Sequence, residues 1–209
     1  MKIIVIGAGD HARVIIDTLL AAGRTIIGLT DVSPDLIGTT VLGIPVIGTD
    51  AVLAEHSPEM TQLVFGIGST NLPNARRARF EEFKANGYEF TGVIHPSAII
   101  GREVNLGEGV QIMAGAVIQP SASIGDNVII NTRAGIDHNC EIGMHTHIAP
   151  GVNLSGCIKI GTDCFIGCGA TVMHGVKVGS NVLVGAGSTV CHDIPDGARV
   201  AGSPARDIM

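Results

Sequence analysis

The chain has 209 residues, with 13 Lys and Arg against 19 Asp and Glu, a formal net charge of −6, no Trp, one Tyr and five Cys. That length has room for two modest domains, and an acidic chain poor in aromatic rings excludes ordinary nucleic-acid binding, which uses basic faces and stacking platforms. No apolar run is long enough to span a bilayer and no charged-then-apolar leader occurs, so the expectation is no membrane insertion and a cytoplasmic setting with reduced cysteines.

Lys2–Gly7 is a continuous apolar run that predicts a strand, and it ends in Gly7-Ala8-Gly9-Asp10-His11-Ala12. Val14, Ile15, Thr18 and Leu19 follow at helical spacing. Thr25–Thr30 predicts a second strand ending at Asp31, Pro45–Ile47 and Leu63–Ile67 predict two more, and Asn71–Asn86 predicts a helix. Strands alternating with helices indicate a small Rossmann-like α/β domain over residues 1–92. A Gly-x-Gly turn opening a helix lets backbone N–H groups approach a phosphate at the helix's positive end, and Asp31 stands where a ribose hydroxyl would be bound. Three readings compete: a nicotinamide dinucleotide, a nucleotide carrying a sugar, and glycines that serve a tight turn alone. The first is disfavoured because no second mononucleotide half follows, and His11 and Arg13 sit where backbone amides would otherwise suffice. The irregular stretches Thr30–Asp35 and Gly66–Asn74 would set specificity but carry no readable pattern.

From Ile94 to Val190 every sixth residue is Ile, Leu or Val. Neither a helix (period near 3.6) nor an isolated strand (period 2) repeats in this way; a coil of short strands stacked on itself does. Within it an 18-residue period places Gly at 107, 125, 143, 161 and 179, and Gly109, Asn127, His145, Asp163 and Asn181 two residues later. These residue types best tolerate positive φ, so one corner in three is expected to bend sharply, and the coil is a triangular prism of parallel strands over residues 93–209. Cys140 and Cys164 fall on inward positions as small apolar fillers.

Outward positions carry the chemistry. His138 follows a core residue by two places, and Gly156 and His174 stack above it at intervals of 18, so the glycine predicts a notch over the imidazole. The outward column Ile129, His147, Phe165, Leu183 is apolar apart from one imidazole and is expected to be a subunit interface with three-fold closure. His147 there is either a functional group or a hydrogen-bonded interface histidine. The column Asn105, Ser123, Glu141, Lys159, Lys177 stays wet; its two lysines suit either a coenzyme A phosphate or a solvated edge. Towards the end, Ile194-Pro195 leads into Gly202-Ser203-Pro204-Ala205-Arg206.

The order of Gly7-Ala8-Gly9-Asp10-His11-Ala12-Arg13, Gly43-Ile44-Pro45-Val46-Ile47-Gly48, His95-Pro96-Ser97-Ala98, Asp137-His138-Asn139-Cys140 and Gly202-Ser203-Pro204-Ala205-Arg206 resembles the bacterial nucleotide-aminosugar N-acetyltransferases and the related sialic acid O-acetyltransferases, over essentially the whole chain. The resemblance implies a left-handed parallel β-helix, a homotrimer, acetyl-CoA as cosubstrate, and neither a tightly bound cofactor nor a metal. It implies His138 as general base, with Asn139 in a position that is often acidic in the family. His147 would contact the thioester and help hold the oxyanion, with Gly156, Gly167, Gly185, Ala186, Pro204 and Arg206 lining the acetyl-CoA site. Gly9, Asp10, His11, Arg13 and Asp31 would hold the nucleotide of the acceptor. The rival expectations are acetylation of a sugar hydroxyl, a γ-type carbonic anhydrase using His138, His145 and His147 on zinc, and a nucleotide-sensing scaffold.

Overall fold

The computed structural model describes residues 2–208. The first part is a sheet built from β1 (Lys2–Ile6), β2 (Ile26–Thr30), β3 (Thr40–Val41), β4 (Ile44–Gly48), β5 (Thr61–Phe65) and β6 (Glu89–Phe90), with helices α1 (Asp10–Ala21) and α2 (Asn74–Ala85). Strand order is β3-β4-β2-β1-β5-β6, and all neighbours are parallel except β3 and β4. The four long apolar runs become strands as expected, with ends displaced by one or two residues. The short strands β3 and β6 are additional; two-residue pieces carry too little alternation to be seen in sequence. Helix α2 starts at Asn74, not Asn71, because Pro73 supplies its N-cap and cannot continue a helix N-terminally.

From Val93 onward the chain coils into three parallel sheets. The first side stacks Val93–Ile94, Gln111–Ile112, Ile129–Ile130, His147–Ile148, Phe165–Ile166 and Leu183–Val184, capped by Arg199–Ala201 and, antiparallel, Arg206–Asp207. The second runs from Ile99–Ile100 to Thr189–Val190 and the third from Asn105–Leu106 to Lys177–Val178. Each pair sends its second residue inward, so Ile112, Ile130, Ile148 and Ile166 form one fully buried column. Thr146, on an inward position, donates from Oγ1 to the Gly161 carbonyl (2.9 Å) and accepts from the Cys164 N–H (3.1 Å), so its hydroxyl is paid for by hydrogen bonds within the stack. Cys140 and Cys164 are fully buried, and burial pushes the Cys164 thiol up to about 11.

One expectation is corrected here. All three corners use positive φ, not one in three: Asn127 (57°), Arg133 (56°) and Asn139 (57°) bend successive corners of one coil. Every side is six residues and turns the same way, so each corner needs the same left-handed bend, including at Arg133, a residue type that adopts it at some cost.

The two parts share a core. Val93 and Met113 of the prism lie in one buried cluster with Ile15, Ile16 and Leu19 of α1. This corrects the second expectation: Ile129 and His147 are 1% and 5% exposed because the chain's own first domain covers them, so this part of the column is an intramolecular junction.

Candidate functional site

In the sheet, β1 has β2 on one side and β5 on the other, so the chain leaves the two central strand ends in opposite directions and opens a crevice at their carboxyl ends. The turn after β1 enters it. Gly7 has φ +93°, and a Cβ there would lie 2.7 Å from Ile67 Cγ1, so only glycine fits. Gly9 precedes α1 and has open space where a side chain would be. Asp31 ties this turn down: one carboxylate oxygen accepts from the Ala8 N–H (2.8 Å) and the other from the Ser33 N–H (2.9 Å), leaving further lone pairs free. Arg13 is exposed one turn along α1, and Gly9, Arg13 and Asp31 stand beside the pocket described below without lining it.

Two hydrogen-bond relays join the crevice to the prism. Gln111 Nε2 donates to the Phe65 carbonyl (2.7 Å), which leaves its Oε1 to accept from His11 Nε2–H (2.9 Å). The Nδ1 of His11 is therefore a lone pair. In the second relay, Asn131 Oδ1 accepts from the Thr132 N–H (2.7 Å), so its Nδ2 donates to His147 Nε2 (3.1 Å). His147 then carries its proton on Nδ1 and gives it to the Ser69 carbonyl (3.0 Å). Burial, with help from the nearby His11 and Arg76, pushes the His147 imidazolium down to about 3, so the ring is neutral. Burial also lowers His11. With its one N–H spent on Ser69, His147 has no donor left for an oxyanion, and that expected role is not met by this arrangement.

A pocket of about 830 Å³ lies over these relays. It brings together six of the expected residues: Asp10 and His11 from α1 with His147, Gly167, Gly185 and Ala186 from the prism. Phe165 and Leu183, the upper part of the apolar column, form its wall. Gly68, Ser69 and Thr70, from the irregular stretch expected to set specificity, also line it, as does Asn131, which the sequence did not single out. Gln111 stands in the same outward column as His147, one coil below Ile129. A polar residue on each side of a buried Ile was the available signal for a covered polar junction.

His138 and Gly156 are elsewhere, at the corner between the second and third sides. His138 is exposed; its Nδ1 donates to Asn139 Oδ1 (2.9 Å), leaving Nε2 a free lone pair. Asp137 does not touch the ring: its Oδ1 accepts from the His138 backbone N–H (2.7 Å). The expected notch over Gly156 is not empty space for a ligand. A Cβ there would lie 2.7 Å from His138 Nε2 and 3.2 Å from His174 Nδ1, so the two imidazoles themselves converge over the glycine. Their ring centroids are 6.3 Å apart.

Pro204 and Arg206 lie at the top of the prism, where the Ala205 N–H donates to the Thr189 carbonyl (2.8 Å), and neither lines the pocket. Lys159 pairs with Glu141 (2.6 Å) on the wet side, beside Lys177. His145 is a corner residue with φ 62°, bonded to Asn127 and edge-on to Phe80. Among the described residues no three His, Cys, Asp or Glu side chains converge to hold a metal within the chain, and no helix is long and apolar enough to cross a membrane.

Comparison with known proteins agrees with this geometry. Residues 2–83 match the PglD N-terminal domain, and residues 103–138, 121–156 and 157–192 match the bacterial transferase hexapeptide (six repeats). The acetyltransferase domain of PglB from Neisseria gonorrhoeae is 38% identical with a TM-score of 0.91, covering 99% of each chain. PerB from Caulobacter crescentus, solved with CoA and GDP-perosamine, is 36% identical with a TM-score of 0.91, covering 100% of this chain and 98% of that one. WeeI from Acinetobacter baumannii, at 23% identity and a TM-score of 0.88 over 100% of both chains, shares the fold. No curated protein matches the chain. The fold is thus a Rossmann-like domain followed by a left-handed parallel β-helix.

Proposed function

The chain belongs to the bacterial nucleotide-aminosugar N-acetyltransferases, and from that premise we propose how its two parts divide the reaction: residues 1–92 hold the nucleotide of the acceptor, and residues 93–209 bind acetyl-CoA and bring its thioester to the sugar amine. The carrying observation is the pocket that joins the carboxyl ends of β1 and β5 to the first side of the prism. The nucleotide enters past Asp10 and His11, beside the Gly7–Gly9 turn that Asp31 ties down, and the pantetheine arm lies along Gly167, Gly185 and Ala186. GDP-perosamine in PerB and acetyl coenzyme A in the PglB domain are the ligands of similar proteins and indicate a GDP-linked amino sugar to test first.

The base is His138. Its Nε2 lone pair takes the amine proton, directly or through a water, as the amine attacks the thioester carbonyl; the tetrahedral intermediate then expels CoA thiolate. Asn139 holds the ring in the tautomer that leaves Nε2 free. The developing oxyanion needs a donor other than His147. Transfer is direct, because holding both substrates in one groove removes the need for a covalent acetyl-enzyme.

This assignment requires a second copy. The pocket occupies the first side and its corner with the second; His138 stands at the opposite corner, between the second and third sides. One chain cannot bring them together. A closed ring of three copies, each presenting its His138 corner to its neighbour's pocket, is the economical solution, and the outward residues of the second side (Val117, Gly135, Asn153, Thr171) are small and uncharged enough to pack there. Acetyl-CoA is the only cosubstrate in this reading, working in the cytoplasm. The test is transfer from acetyl-CoA to a panel of UDP-, GDP- and CMP-linked sugars, with products read by mass spectrometry. Amide formation on amino sugars is expected; acetylation of hydroxyls alone would overturn it.

A further inference from the structure

Arg76 is the most unusual buried group in the protein. It sits in the first turn of α2, is 2% exposed, and its guanidinium lies 4.9 Å from the Phe65 ring centroid. Its Nη1 donates to the Ile67 carbonyl (2.5 Å); among the described residues Nε and Nη2 have no acceptor and no carboxylate pairs with the guanidinium. Leaving two donors of a buried cation without partners is costly, so the position of this guanidinium calls for a reason.

The surroundings specify the ligand. In a trans peptide the carbonyl and the next N–H point in opposite directions. By drawing the Ile67 carbonyl to itself, Arg76 turns the Gly68 N–H away from itself, and Gly68 lines the pocket. The N–H groups of Gly68, Ser69 and Thr70 donate to nothing else among the described residues. Across the crevice stands the turn of Gly7–Gly9 that opens α1. Of the residues lining the pocket only Asp10 is acidic. The Gly7 and Ala8 N–H groups are given to the Thr30 carbonyl and Asp31, so the anion receptor is the run of free N–H groups after β5, backed by a buried positive charge, with the Gly9 N–H at the start of α1 facing it.

We propose that Arg76 is the positioning residue of a diphosphate site at the β1/β5 crevice, aiming the Gly68 N–H into the pocket and supplying the charge that the nucleotide's diphosphate answers. The inference deepens the nucleotide-sugar reading and rests on it for the identity of the ligand. Burial lowers the guanidinium to about 9, so it stays charged in neutral solution.

Binding is measured on the full chain without acetyl-CoA, using GDP, UDP and inorganic pyrophosphate against guanosine and uridine. Arg76→Met keeps the volume and removes the charge and the carbonyl tie. It is expected to weaken the three phosphate ligands roughly tenfold or more while leaving the nucleosides unchanged, so the diphosphate-to-nucleoside preference collapses. Thermal stability should hold or rise, because an apolar side chain replaces an unpaired buried charge. Arg76→Lys, which keeps the charge without the planar fork, should retain part of the preference and is read in the same way if the Met variant does not fold. An unchanged preference in either variant overturns the assignment, whatever happens to stability. Because no transfer is measured, a protein that fails to acetylate amino sugars can still satisfy this test, and one that acetylates them can still fail it.

Discussion

Asn131 sets the tautomer of His147. With Asn131 Oδ1 occupied by the Thr132 N–H, only its Nδ2 can face the imidazole, so His147 Nε2 accepts and Nδ1–H must donate to Ser69 across the domain junction. Two residues sixteen positions apart thereby lock the loop after β5 onto the prism.

This lock carries a pH dependence. The ordinary value for the unfolded imidazole is 6.5 and the folded one is about 3, so between these the unfolded chain binds a proton that the folded chain does not. Stability is expected to fall as pH drops from above 6.5 towards 3, by on the order of several kcal/mol in full. His147→Gln removes the titrating group, so its urea midpoint should fall less than the wild type's between pH 7 and pH 4.5. Parallel curves would show that His147 does not titrate in this way.

Gly156→Ala tests the corner where two imidazoles meet. The added methyl would occupy a point 2.7 Å from His138 Nε2, so the ring must swing outward. Both His138 and His174 are exposed, and stability should change little. Displacing the base by an ångström or so should cost turnover about a hundredfold. Full activity in the alanine variant would mean that His138 needs no fixed position.

His138→Ala should lower kcat by roughly 10²- to 10⁴-fold while the KM for acetyl-CoA stays close to that of the wild type. Asn139→Ala, which frees Nδ1 but leaves the ring, should give a smaller loss, about tenfold. Steady-state kinetics with the preferred amino sugar decides. A rise in KM alone would place His138 in binding, not proton transfer.

Mixing variants tests the shared site. His138→Ala lacks the base and His11→Ala damages the pocket; each alone should be weak. Co-expressed in equal amounts, their mixed trimers should contain intact sites, about a quarter of the total. If base and pocket came from one chain, no mixture could restore transfer, and activity would stay at the level of the single variants.

Much of this protein was legible before any coordinates. The period of six specified the prism, because each inward Ile, Leu or Val must recur once per side, and the Gly7–Gly9 turn marked the crevice, because Gly7 must take a positive φ against Ile67. The Gly66–Asn74 stretch was opaque, since what it presents to the pocket is backbone N–H groups, whose direction depends on the Arg76 tie to the Ile67 carbonyl and leaves no trace in side-chain type. The pattern of corners was misjudged for a related reason: Arg133 and Cys157 bend left-handed only because the stack above and below holds them there.

The amino-acid order alone settled the architecture, since burial periodicity is a local property repeated coil after coil. Which outward face the first domain covers was decided only in three dimensions. Two relays from Phe65 and Ser69 to Gln111 and His147 close that junction, and they join residues that lie 46 and 78 positions apart. Partners so far apart are chosen by how the two domains dock, which no run of neighbouring residues encodes.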